Sequence, residues 1–235
     1  MSQPLSRRDL LQKSTFALTG LALTPTLFAE DKKDEPEVTA TEDLMREHGV
    51  IRRALLVYAE LAPKLRANPG SVDPAALHKT AQLFRTFGED YHERQLEEQH
   101  IFPTIRKMNK PDLTHYADVL TAQHQRGREI TDYILAVTTG KIGKQHADVL
   151  AQMFEAFTLM YQNHAAREDT IIFPAWKTNY TNKQLDELGD QFEDIEKKTF
   201  GKDGFDDAEK TITQVEATYG FTDIAQFTPP APPKP

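Results

Sequence analysis

There is no cysteine anywhere in the 235 residues, and that one absence closes several routes. Disulfides, thiolate-bound iron–sulfur clusters, zinc ribbons and thiol catalysis all require a side chain the sequence does not have. Any metal must then be held by imidazole and carboxylate, a mixture that suits iron, manganese or zinc. A surplus of positive charge is also missing: 28 Lys and Arg stand against 36 Asp and Glu, a net charge of −8. Nucleic-acid binding is driven by counterion release from a clustered basic surface, so no nucleic-acid partner is expected. Glycine is scarce, and no stretch alternates polar with apolar residues as a half-buried strand would.

Long hydrophobic runs are lacking too. The longest mainly apolar segment, Ser14 to Ala29, is short for a membrane span and is interrupted by Pro25. Preceded by Arg7 and Arg8 in "SRRDLL", it reads as an export signal of the twin-arginine type over residues 1–29. Cleavage after Ala29 would leave a periplasmic protein with no stable membrane association, exported already folded. Residues 30–40 form a charged linker, and 221–235 end in the Pro-rich "TPPAPPKP", which cannot enter a helix or a ladder.

Between these ends the apolar residues follow a helical rhythm. Leu150, Phe154, Phe157, Tyr161, His164, Glu168 and Ile171 succeed one another at steps of four and three, the buried seam of a helix in a bundle. A histidine and a glutamate on such a seam are costly, because an ionised Glu is rarely buried without a partner. Similar seams pass through Leu44, His48, Ile51 and Leu55, with Thr41 as the expected N-cap, and through Leu77, Ala81 and Phe84. Another passes through Leu113, Ala117, Leu120 and His124. The expectation is an all-α, antiparallel up-down four-helix bundle over residues 41–178, with an accessory helical segment over 179–220.

A repeat supports this. "LMREH" at 44–48 matches "LTAQH" at 120–124, and "LEEQHIFPTI" matches "REDTIIFPAW". The bundle thus reads as two similar helical hairpins. Each hairpin supplies one histidine from its first helix, then a histidine and a carboxylate from its second. The candidate metal ligands are His48, His92, Glu97, His124, His164 and Glu168. Four imidazoles and two carboxylates suit two divalent irons, since carboxylates can bridge two ions and lower their repulsion. One irregularity stands out. His164 and Glu168 are four apart, about 40° on a helix, whereas His92 and Glu97 are five apart, about 140°. A π-bulge within residues 92–97 would realign the latter pair; the rival arrangement has Glu93 binding in place of His92.

The segments "REHGVIRRALL", "YHERQLEEQHIFP", "AQHQRGREI" and "YQNHAAREDTIIFP" resemble the hemerythrin-like, His-His-Glu cation-binding family over roughly residues 41–178. The resemblance implies a non-haem di-iron centre that binds, stores or senses O2. It further implies that His48 and His92 terminate one iron, His124 and His164 the other, with Glu97 and Glu168 bridging. Oxygen-carrying members have a second histidine four residues after the one on the third helix, where this chain has Arg128. Three functions follow as expectations: an exported protein binding or sensing O2 or a related small oxidant; a di-iron oxidoreductase consuming peroxide or nitric oxide; or a metal-free helical interaction protein. Among the other polar residues, His78, His115 and His146 are expected to be solvated, and His100 to lie at the rim. Asp169 and Glu98 are expected around the ligands or at the surface. Tyr58 and Tyr161 should pack with hydrogen-bonded hydroxyls, and the two Ile-Phe-Pro segments should pack and end their helices.

Overall fold

The computed structural model describes residues 38–233, whose regular secondary structure is all helical, with no strand among them. The export signal expected over 1–29, and most of the linker, lie outside the described residues. Helix α1 is Ala40–Ala67. Its N-cap is Thr39, whose side chain accepts from the Glu42 amide, rather than Thr41. Thr41 is buried inside the first turn with its hydroxyl 3.2 Å from that of Thr39.

Helix α2 runs from Pro74 to Lys107 in three stretches: α-helical over Pro74–Leu83, π-helical over Phe84–Ile101, and α-helical again over Phe102–Lys107. The π turn expected at 92–97 is therefore part of a longer segment with i→i+5 bonding. Helix α3 is Pro111–Val137. Helix α4 is composite like α2: Lys144–Arg167, a π turn over Glu168–Ile172, then Phe173–Lys177. That second π turn was not expected from the sequence.

The π turns explain why the Ile-Phe-Pro segments do not end their helices. The amides of Phe102 and Phe173 bond back five residues, to the carbonyls of Glu97 and Glu168. Proline follows where the wide turn returns to the normal ladder, and its missing N–H costs least there. Both helices then continue to Lys107 and Lys177.

Helix α5 (Asn182–Phe200) opens with a capping box between Thr181 and Gln184, and α6 (Gly204–Tyr219) is capped by Asp203. Their apolar faces cover α1 and α2. Phe192 of α5 stacks over Trp176, and Arg53 of α1 donates to Glu216 of α6 at 2.9 and 2.5 Å. The core is a slab of aromatic rings. Tyr58, Phe84, Phe154, Phe157 and Tyr161 are all in ring contact, with Tyr58 over Phe154 at 4.5 Å. Gly127 makes room for this layer, since a Cβ there would stand 3.3 Å from the Phe157 ring. α1 packs most extensively against α4, as the Arg66–Glu155 ion pair and the Thr158 bond to the Leu55 carbonyl show. Among the described residues no helix is long and apolar enough to cross a membrane.

Candidate metal centre

The slab of rings gives way at one end to a cluster that is polar and almost fully buried. His48, His92, Glu97, His124, His164 and Glu168 are each at most 1 % exposed. α1 supplies the first, the π segment of α2 the next two, α3 the fourth and α4 the last two. All four histidines turn Nε2 inward. Glu97 Oε1 lies 3.3 Å from His92 Nε2 and 4.0 Å from His48 Nε2, while its Oε2 lies 3.2 Å from His124 Nε2. Glu168 is arranged in the opposite sense. Its Oε2 lies 3.5 Å from His48, and its Oε1 lies 3.0 Å from His164 and 3.9 Å from His124.

The six residues form two clusters of ligand atoms, His48–His92–Glu97 and Glu97–His124–His164–Glu168. Glu97 belongs to both, and Glu168 reaches toward His48 as well. A third group, Glu93–Glu98–His124, lies on the Nδ1 side of His124. The realignment of His92 with Glu97 needs the π segment, because a regular helix would send them to different faces. Glu93, the rival for the place of His92, points elsewhere: it accepts from Tyr161 at 2.8 Å and from Arg128 at 3.0 Å.

Each inward Nε2 is set by what its Nδ1 touches. His48 meets Asp169 at 2.7 Å, His92 meets Glu47 at 2.6 Å, His124 meets Glu98 at 2.9 Å and His164 meets the Gln123 carbonyl oxygen at 3.0 Å. A carboxylate accepts only, so it holds the ring proton on Nδ1 and leaves the Nε2 lone pair free to bind a metal. Phe173 and Phe102 stack on the rings of His48 and His124 at 5.4 and 5.5 Å. The two phenylalanines thus orient imidazoles of the cluster in addition to packing.

Buried polar atoms normally find hydrogen-bond partners. Here His48 Nε2, His92 Nε2 and both oxygens of Glu97 and Glu168 have none, and all of them converge. Donors sharing one ion at about 2.1 Å lie about 3.0–3.4 Å from one another, close to the spacing found. Nitrogen and carboxylate donors in this number fit a pair of divalent cations such as iron.

The electrostatics point the same way. Burial lowers imidazoles and raises carboxylates. His48 and His164 follow it, His164 further because His124 is beside it. His92 rises well above its ordinary value in spite of burial, through Glu97 and Glu47. His124 likewise rises to about 10 through Glu93, Glu97 and Glu98. Burial would also raise Glu97, yet His92 and His124 hold it well below the usual carboxylate range. Glu168 is pushed well up by burial and by Glu97. Two carboxylates buried side by side call for positive charge between them.

The position where oxygen carriers have a further histidine holds Arg128, whose guanidinium binds Glu98 at 2.5 Å and Glu93 at 3.0 Å. Arg52, four residues after His48, binds Asp169 in the same manner. Glu47, Gln123 and Arg52 were not singled out in the sequence, although the repeat contained the signal. An acceptor directly precedes each first-helix histidine, and an arginine stands four residues after it. Of the other polar groups, His115 is exposed, while His78 and His146 are half-buried on the hydroxyls of Thr138 and Tyr133. His100 sits outside the cluster, against Phe192. Tyr161 has its bonded hydroxyl. Tyr58 departs from expectation, since its ring packs in the aromatic layer and its hydroxyl makes no hydrogen bond.

A buried His/carboxylate cluster inside a helical bundle defines a cation-binding helical protein. The comparisons narrow that class: the model of the hemerythrin HHE cation-binding domain matches residues 39–176, and the chain belongs to that family. Uncharacterized proteins of Mycobacterium tuberculosis and Mycobacterium bovis are 41 % identical to it over 237 residues, spanning 96 % of this chain and 91 % of theirs. No solved structure matches it.

Proposed function

We propose that this protein holds two non-haem iron ions in an antiparallel up-down four-helix bundle and binds or senses O2 or a related small oxidant there. His48 and His92 would terminate one ion, His124 and His164 the other, and Glu97 and Glu168 would bridge. The observation that carries this reading is the convergence of six buried side chains, in which the inward atoms of His48, His92, Glu97 and Glu168 have no hydrogen-bond partner and those of His124 and His164 have only each other, at 3.0 Å. Bound iron would supply the electrons for reaction with the oxidant. The chain's own part is to orient four imidazoles through their Nδ1 contacts and to exclude bulk water from the pocket. The Arg7–Arg8 segment supports export in folded form to the periplasm.

A second reading, a di-iron oxidoreductase consuming peroxide or nitric oxide, is favoured by Arg128. Its guanidinium is committed to Glu93 and Glu98, so each ion would be held by two imidazoles rather than one of them by three, which would leave room for a reacting oxidant. Protein produced with iron, reduced without oxygen and then exposed to air separates these readings. Two irons per chain and a visible band that disappears on removing oxygen support reversible binding. Two irons with sustained consumption of peroxide or nitric oxide support the enzyme. Protein that takes up no iron and keeps its full stability through exhaustive chelation overturns both in favour of a metal-free helical interaction protein.

A further inference from the structure

The two halves of the centre are built alike, and the mismatch between them lies behind the imidazoles. His48 bonds Asp169, which directly follows Glu168 of the other hairpin. His124 bonds Glu98, which directly follows Glu97 of the other hairpin. Arg52 and Arg128 clamp those two carboxylates. At the remaining pair the match fails. His92 donates to Glu47, a buried carboxylate whose other oxygen accepts from Tyr91 at 3.0 Å. His164 faces Gln123, a half-buried neutral amide.

We propose that the two metal positions are unequal: the one formed by His48 and His92 is the tight, resident position, and the one formed by His124 and His164 is weaker and exchanges its ion. Glu47 and Gln123 set this order. The inference rests on the two-metal reading above.

Two effects act in the same direction. A carboxylate behind an imidazole raises its basicity and adds a negative charge near the ion. It also permits one tautomer alone. An amide is both donor and acceptor. Turned over, Gln123 donates to His164 Nδ1, and the ring proton then sits on Nε2, the atom that must bind. His164 therefore has a metal-incompetent form at little cost, whereas Glu47 denies one to His92. Glu93 is the anion that works against this order, with Oε2 4.0 Å from His124 Nδ1. Its charge strengthens His124 and so opposes the charge effect of Glu47, but its oxygens are engaged by Arg128 and Tyr161 and it makes no contact with His164, so the tautomer freedom that Gln123 gives His164 decides the order.

The test is a calorimetric titration of the metal-free full chain with Co2+ under nitrogen. Wild type should show two events separated by about tenfold or more in affinity, the scale on which outer carboxylates act. Glu47→Gln should narrow the gap by weakening the tight event, and Gln123→Glu should narrow it by tightening the weak one. Gln123 is half-buried, so this second substitution keeps the test open should the first disturb folding. His164→Ala should retain one tight ion and His92→Ala one weak ion. A gap that neither Glu47→Gln nor Gln123→Glu moves, or a tight ion kept by His92→Ala and lost by His164→Ala, overturns the ordering while leaving two metals in place. Fewer than two cobalt ions per wild-type chain overturns the two-metal reading itself.

Discussion

Glu89 is a carboxylate buried one helical turn before the metal cluster, and replacing it with glutamine should make stability less dependent on pH. It accepts from Thr131 at 2.6 Å and lies 3.0 Å from Arg85 Nε. Burial and the nearby Glu93 nonetheless raise it from 4.5 to about 7. The folded chain therefore keeps a proton on Glu89 through a range where the unfolded chain has already lost it. Stability from this group is complete below about pH 4.5 and falls as pH rises to about 7, after which the full cost persists. At 1.36 kcal/mol per unit, a shift of about 2.5 units corresponds to about 3 kcal/mol. Glu89→Gln keeps an acceptor for Thr131 and has nothing to ionise. Arg85 retains Asp132 and the Arg128 carbonyl. Urea unfolding followed by circular dichroism, at fixed ionic strength and fixed metal content, should show variant and wild type nearly equal at about pH 4. By pH 8 the variant should be ahead by about 3 kcal/mol. Parallel pH profiles for the two proteins would refute the assignment of a raised pKa to Glu89.

Other perturbations have equally definite outcomes. Arg128→Met leaves Glu93 and Glu98 without their shared cation, and urea unfolding should register a loss of about 3–5 kcal/mol. Phe173→Ala removes a fully buried ring that stacks on His48; it should cost about 3–5 kcal/mol in the same assay and lower metal occupancy. Glu168→Ala should lose most of the second metal by elemental analysis, while His146→Ala, whose ring touches only Tyr133 in the hydrogen-bond network, should leave metal content unchanged. Chelation should lower the melting temperature in proportion to the lost linkage. That amounts to about 4 kcal/mol if the free metal had stood at a thousand times its Kd, and re-addition of Fe2+ under nitrogen should restore it.

The helices and their buried faces were legible because each seam repeats at helical spacing, and histidines on an apolar seam are conspicuous. The five-residue step from His92 to Glu97 foretold a wide turn for a geometric reason: a regular helix cannot aim both residues inward. Its counterpart at Glu168–Ile172 left no such trace, since His164 and Glu168 are already compatible with a regular turn. The N-cap at Thr39 was misplaced because Thr41 is an equally good capping type, and burial of its side chain, not its chemistry, decided between them. The residues behind the imidazoles were harder to read. Glu47 and Asp169 touch histidines 45 and 121 positions away, and spacing along one helix carries no information about such contacts. The role of Phe102 and Phe173 was hidden for the same reason, since a phenylalanine on a seam looks the same whether it meets leucine or imidazole.

Because Asp169 steadies His48 and Glu98 steadies His124, neither hairpin owns a finished half of the centre. The cation site is a joint within a single chain, and it exists only while the two hairpins are docked. Metal affinity is then coupled to docking by mass action. An ion bound there fastens the first hairpin to the second, and a chain cut in the 108–110 connection, between α2 and α3, should yield fragments that rejoin more tightly when metal is supplied than when it is withheld.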